Sequence, residues 1–152
     1  MTAAGIACLA IVKEALVVSG KLEPRDPKDQ AKLKPIDDGI NSGWAKLGEI
    51  FDVKTNPGNP GWHYYWLYGL ERVGAFLGVP NMGKHKWYPV GAKYLVEQQL
   101  KQEAGKPENP EAGSWAAGGH ESQLVRTCFA LLFLKRSTKP PAVPIMPPVT
   151  TD

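Results

Sequence analysis

The chain has 152 residues, of which 43% are apolar and 22% charged, and its 18 basic and 15 acidic residues give a net charge of +3. This length fits a single domain, and the apolar content excludes a chain that is disordered throughout. The small charge excess is spread along the chain and argues against a nucleic-acid partner, and no uncharged stretch reaches the roughly 20 residues of a membrane-spanning helix.

The chain begins with an uncharged apolar segment, residues 1–12, which ends before Lys13 and Glu14. Because it lacks the basic start of a secretory signal, we interpret it as a buried helix. The compartment stays open, with the cytoplasm slightly favoured for want of a convincing export signal. Cys8 and Cys128 both lie in apolar segments and are expected to be buried free thiols rather than a disulfide pair.

Proline clusters divide the rest of the chain into segments of helical length. A proline inside a helix costs about 3 kcal/mol, so the clusters predict loops, including an exposed charged loop over residues 20–35. Pro89 is tolerated because it falls in the first turn of a segment. The predicted helices cover residues 3–12, 36–51, 63–77, 88–102 and 124–134.

These five helices are of two alternating kinds. The second and fourth carry one apolar stripe and one polar face, which is typical of an outer helix. The first, third and fifth are almost free of charge, which indicates burial on both sides. Their centres recur at nearly equal spacing, as in a repeat array. The sequence therefore predicts an all-α fold of about five alternating inner and outer helices.

Residues 91–99 (GAKYLVEQQ), followed after a loop by Gly113-Ser114-Trp115, resemble the QW motif of terpenoid cyclases. Residues 1–5, 63–72 (HYYWLYGLER) and 127–134 are similar to segments of bacterial prenyltransferase and squalene-oxidase repeat proteins. The resemblance covers about residues 1–136 and implies a partial α/α toroid. Squalene–hopene cyclases, protein prenyltransferase β subunits and complement thioester domains share this fold. Residues 137–152 form a separate proline-rich tail.

The QW-like residues have a structural role in that family. We expect Gln99 to hydrogen-bond carbonyl groups that the end of the outer helix leaves unpaired, and its amide to lie against the Trp115 ring. Gly113 would permit the turn that brings Trp115 back to the helix.

The catalytic motifs of the family are not found. The acid cluster DxDD of the cyclases is missing, and the single adjacent acidic pair, Asp37-Asp38, is interpreted as the cap of a helix N-terminus. The thioester motif is missing too. Residues of the types that hold zinc in prenyltransferases occur without the spacing of a metal site: Cys8, Cys128, His63, His85 and His120. No catalytic residue, metal site or cofactor is predicted, and whether the chain is an enzyme stays uncertain.

Aromatic residues of the third and fifth helices are the functional candidates. On the inner wall of a toroid they would bind an apolar or isoprenoid-like ligand; the alternative is that they are plain core. These candidate ligand-binding residues are Tyr64, Tyr65, Trp66, Tyr68, Phe129 and Phe133.

We predict a catalytically incomplete helical-repeat binding module with an aromatic concave surface. The alternative is a fragment of an isoprenoid cyclase or prenyltransferase-like enzyme whose acid or metal site lies in missing repeats. A third hypothesis is a protein-interaction scaffold. Five helices make about half of a toroid, so open apolar ends would be covered by the repeats of a longer parent protein, by self-association, or by the tail.

Overall fold

The computed structural model describes residues 2–140, and the molecule is built from helices. The five helices are α1 (Thr2–Val18), α2 (Pro27–Glu49), α3 (His63–Leu77), α4 (Trp87–Gln98) and α5 (Gln123–Lys135). A single 3₁₀ turn, Pro60–Trp62, precedes α3. A short antiparallel hairpin of β1 (Asn81–Met82) and β2 (His85–Lys86) joins α3 to α4. The all-α fold predicted from the sequence is confirmed.

Helix α3 lies at the centre of the molecule. It packs against α1, α4 and α5, while α2 packs against α1, and α4 also contacts α5. Most residues of α3 are buried, whereas α2 buries one stripe (Leu33, Ile40 and Leu47). Helix α3 thus contacts both α1 and α5, but the inner and outer roles of the helices, like the toroid itself, stay predictions. The expected burial of α5 on both sides was wrong, because α5 buries only Ala130 and Phe133 and leaves Leu124 and Leu131 73% and 54% exposed.

Helix α1 is longer than expected and buries only one face. Ala3, Ile6, Ala7 and Ala10 face the core, but nearly half of the Ile11 side chain is exposed. Burial on both sides was therefore a wrong expectation, because among residues 2–140 α1 packs chiefly against α2 and α3, which cover one side of it. Cys8 and Cys128 are free thiols as expected, but both are exposed rather than buried.

Helix α2 begins inside the segment predicted to be a loop. Asp26 caps it by accepting a hydrogen bond from the Lys28 amide at 2.7 Å. Pro35 stands within the helix and has no amide hydrogen to donate to the Ala31 carbonyl. Both residues are exposed. Because water can satisfy that carbonyl and the earlier turns bury Leu33, the helix tolerates the proline.

The Asp37-Asp38 pair consequently lies in the middle of α2 and caps no helix end, contrary to expectation. Asp37 forms an ion pair with Lys13 of α1 at 2.5 Å, and Asp38 pairs with Lys34 one turn earlier at 2.8 Å. The first of these contacts joins two helices, and the second is a surface pair along one helix.

The end of α4 is held by Trp115 rather than by Gln99. The indole Nε1 of Trp115 donates to the Leu95 carbonyl at 2.8 Å, so the buried ring supplies the missing partner of a helix carbonyl. The Gln99 amide instead donates to the Gly113 carbonyl at 2.8 Å. Gly113 has φ +89°, which agrees with the expected turn.

None of the helices within residues 2–140 has the length and apolar character needed to cross a bilayer. The tail predicted over residues 137–152 is described only as far as Pro140, and the remainder of that prediction lies outside the described residues.

Candidate ligand-binding groove

A groove with a cavity volume of about 260 Å³ runs between α1 and α3. One wall belongs to α1, the other to α3, and Asn56 stands at one end. Its lining is mostly apolar: Ala3, Ala4, Ala7, Cys8, Ile11, Asn56, Tyr65, Trp66, Tyr68, Gly69 and Arg72. We call it the α1–α3 groove.

Side-chain size explains why the two helices leave this space. Ala4, Cys8 and Ile11 recur at helical spacing and share one face of α1, where two of the three are small. On α3, Gly69 has no side chain, and a Cβ there would meet only the Ala3 Cβ at 3.5 Å. Small residues at the contact therefore leave the α1–α3 groove open, and the larger side chains beside it do not fill it.

Aromatic rings continue from the groove onto α5. The Phe129 ring stacks on Tyr68, with 5.3 Å between ring centroids, and meets Tyr65 edge-on at 5.8 Å. The Arg72 guanidinium lies 5.7 Å from the Tyr68 ring centroid and 5.5 Å from that of Phe76. These cation–π contacts hold a positive charge at the end of the groove opposite Asn56.

The six aromatic residues predicted to bind ligand divide into two groups. Tyr65, Tyr68 and Phe129 are partly or largely exposed on one face, and 49% of Tyr65 is accessible. Trp66 lines the groove with a largely buried ring, whose Nε1 donates to the Asp52 carbonyl at 2.8 Å.

Tyr64 and Phe133 are core residues, which corrects their assignment as ligand-binding residues. They are only 3% and 1% exposed, respectively. The Phe133 ring packs against Gly91 and stacks with Tyr88, at 5.7 Å between centroids. Successive residues of a helix point about 100° apart, so a run of aromatic residues cannot place every ring on one surface.

The sequence interpretation missed the α1 wall (Ala4, Cys8 and Ile11) and the residues at the two ends, Arg72 and Asn56. The available signal was the helical spacing of small residues on α1, opposite the glycine in the middle of α3. That signal has meaning only once α1 and α3 are known to be neighbours.

A buried carboxylate fixes the beginning of α3 and with it the position of Tyr65. Glu121 accepts hydrogen bonds from the backbone amides of Tyr64 at 3.0 Å and Tyr65 at 2.7 Å. The Arg126 Nε lies 3.4 Å from the same carboxylate, and its guanidinium covers the Tyr64 ring at 4.8 Å. A negative charge at a helix N-terminus satisfies free amides and interacts favourably with the helix dipole.

The histidines have structural partners. His63 lies 2.8 Å from the Val53 carbonyl through Nε2, and burial lowers its pKa. Burial likewise raises the pKa of Tyr64 to about 12. His85 stacks on Phe51, and His120 packs near Trp62. Within residues 2–140, no group of three His, Cys, Asp or Glu side chains is arranged to hold a metal ion.

No protein-family model, curated protein or solved structure matches the chain. The resemblance to the terpenoid cyclase and prenyltransferase toroid therefore stays a prediction from the motif residues.

Proposed function

We propose that the protein is a binding module that holds a small apolar, isoprenoid-like ligand in the α1–α3 groove. The observation that carries this proposal is that Tyr65 is exposed and Tyr68 half-buried beside Ile11, in a groove with a mostly apolar lining. Apolar side chains grouped around a concavity are typical of ligand sites.

The size of the groove limits the ligand. Its volume of about 260 Å³ is slightly below the roughly 300–1,000 Å³ of small-molecule sites, so a short chain fits better than a polycyclic molecule. Such a ligand would gain about 25 cal/mol for each Å² of apolar surface removed from water. Arg72 and Asn56, at the two ends, offer the polar contacts that would orient it.

The proposal is tested by titrating the full chain with geraniol in a calorimeter. Ile11→Gln places an amide on the apolar wall, and we expect about tenfold weaker binding, since tenfold corresponds to about 1.4 kcal/mol. Val12→Gln is the matched control, because Val12 is the next residue of α1 and is similarly exposed (47% against 43%) but does not line the groove. Its affinity should equal that of the wild type.

Two results would contradict the proposal. If the titration of the wild type with geraniol gives no saturable heat of binding, this result would exclude isoprenoid-like ligands from the groove. Equal weakening by Ile11→Gln and Val12→Gln would show that binding takes place elsewhere on the surface.

A further inference from the structure

A second concavity adjoins the α1–α3 groove, on the side of the loop that precedes α3. Its volume of about 680 Å³ lies within the roughly 300–1,000 Å³ of small-molecule sites. It shares Asn56 and Tyr65 with the groove, so the two concavities are contiguous. Among the described residues its lining holds two aromatic rings and two amides but no charge: Asn56, Pro57, Gly58, Asn59, Trp62 and Tyr65. We call it the Trp62 depression.

Trp62 exposes its ring, unlike three of the other tryptophans. Trp66, Trp87 and Trp115 are buried, and the indole nitrogen of each donates to a backbone carbonyl at 2.8 Å. Trp62 is 41% exposed, and within the part of the chain that the structure describes its indole nitrogen forms no hydrogen bond. The ring of Trp62 can therefore stack on a ligand without leaving the core.

The backbone that carries the two exposed rings is nevertheless held in place. The Trp62 amide donates to the Asn59 carbonyl at 3.1 Å, and the Trp62 carbonyl accepts from the Asn56 side-chain nitrogen at 3.0 Å. The His120 ring lies beside the indole, with 5.6 Å between ring centroids. Tyr65 is held through its backbone amide, which donates to the buried carboxylate described above. Rings fixed in this way lose little conformational freedom when they bind a ligand.

The chemistry of the depression fits a neutral pyranose ring. A pyranose whose hydroxyl groups are all equatorial presents C–H groups on both faces and hydroxyl groups around its rim, so its face can stack on an aromatic ring. Asn59 is exposed and makes no capping hydrogen bond at the 3₁₀ turn, so its amide can donate to one hydroxyl and accept from another. Because the described lining carries no charge, nothing there would offset the desolvation of a phosphate or a carboxylate.

We propose that the Trp62 depression binds a neutral pyranose ring with equatorial hydroxyl groups, which stacks on Trp62 and hydrogen-bonds to Asn59. The ring belongs either to a free saccharide or to a ligand whose apolar chain lies in the α1–α3 groove. Only the second source rests on the proposed function, because only that source needs an apolar chain in the groove.

Three probes separate the sugar from the chain. Octyl β-D-glucopyranoside carries both parts, octan-1-ol carries only the chain, and methyl β-D-glucopyranoside carries only the sugar. Each is titrated into the full chain below the concentration at which the octyl glucoside forms micelles. The affinity is read from the backbone amide signals of residues 56–65 in ¹⁵N-labelled protein.

We expect the wild type to bind octyl glucoside at least about tenfold more tightly than octan-1-ol. Trp62→Ala should abolish this preference. Asn59→Ala, which changes an exposed side chain, should weaken octyl glucoside binding about fivefold, as the loss of one neutral hydrogen bond would, and leave octan-1-ol binding unchanged. Asn41→Ala is the matched control, because Asn41 is an exposed asparagine of α2 outside the depression, and it should change neither affinity.

Methyl glucoside distinguishes the two sources of the sugar. If the octyl compound binds more tightly than the methyl compound, and Ile11→Gln removes the difference, the sugar belongs to a ligand with a chain in the groove. If the two glucosides bind equally and both depend on Trp62 and Asn59, the ligand is a free saccharide.

Two results would overturn the proposal. One is equal affinity of the wild type for octyl glucoside and octan-1-ol, and the other is a preference for the glucoside that survives both Trp62→Ala and Asn59→Ala. Geraniol binding without any preference for a glucoside would overturn the saccharide site alone. Binding of both glucosides without binding of octan-1-ol or geraniol would support the saccharide site and contradict the proposed function.

Discussion

At the scale of single residues, two glycines let the loops before α3 and α5 touch through their backbones. The His120 amide donates to the Gly61 carbonyl at 2.8 Å. A Cβ on Gly119 would lie 2.6 Å from that carbonyl oxygen, and Gly119 has φ +60°. This contact brings Glu121 beneath the first turn of α3, so the glycines support the cap that positions Tyr65.

Gly119→Ala should therefore destabilise the protein more than an alanine at another left-handed glycine. Gly20→Ala is the matched control, because Gly20 has φ +69° with open space around it. Left-handed backbone costs an alanine about 1–2 kcal/mol, and a backbone collision adds about 1–3 kcal/mol. We expect urea unfolding to show a loss of about 3 kcal/mol at Gly119 and about 1 kcal/mol at Gly20. Equal losses would mean that the loop contact adds nothing.

At the scale of elements, the ends of the helices depend on partners that come from elsewhere in the chain. Trp115 satisfies a carbonyl of α4 from 20 positions away, and Glu121 satisfies amides of α3 from 57 positions away.

The proline clusters located α3 and α5 to within one residue at each end, since the cost of a proline in a helix is local. They missed the start of α2, where burial of Leu33 makes a helical turn favourable before Pro35.

Trp115→Phe should weaken the end of α4. The variant keeps an aromatic ring in the core but removes the indole donor, which leaves the Leu95 carbonyl without its partner. A buried unsatisfied group costs about 1–3 kcal/mol, and we expect a loss of that size in urea unfolding.

Gln99→Ala serves as the control for this prediction. It removes an exposed hydrogen bond to Gly113 in the same loop, and a loss below about 1 kcal/mol is expected. Trp115→Phe would contradict the assigned role if its unfolding free energy equalled that of the wild type.

At the scale of the whole molecule, buried polar groups connect parts of the chain that are far apart in sequence. His63 joins the loop after α2 to α3 through the Val53 carbonyl, and its ring is 5.5 Å from that of Tyr94 in α4. Apolar surface nevertheless stays open on the outside, for example at Leu124, which is 73% exposed. The predicted self-association, or the repeats of a longer parent, would cover such residues; both stay predictions.

Acid should destabilise the fold through His63. Burial lowers its pKa below the ordinary 6.5, so the unfolded chain takes up a proton that the folded protein does not. The stabilisation from the neutral ring is complete above pH 6.5 and is lost as the pH falls below this value toward the folded pKa. Urea midpoints measured above and below pH 6.5 should therefore decrease with acid in the wild type.

His63→Gln and His63→Phe should both show a smaller decrease, whatever their stability at neutral pH. A pH dependence identical to that of the wild type in both variants would assign the acid sensitivity to other groups.

The sequence by itself determined that the protein is helical and where α3 and α5 lie. The reason is that the cost of a proline in a helix and the spacing of apolar residues both act through the local backbone. The sequence also identified the aromatic residues of the groove, but it did not show which of the candidate rings are exposed and which are buried in the core. Tyr64 and Tyr65 are neighbours in the chain, yet one is core and the other faces solvent. Only the tertiary structure decided which face of each helix is covered, since burial depends on residues that are distant in sequence. The exposed face of α1, the cap by Glu121 and the groove all follow from such contacts.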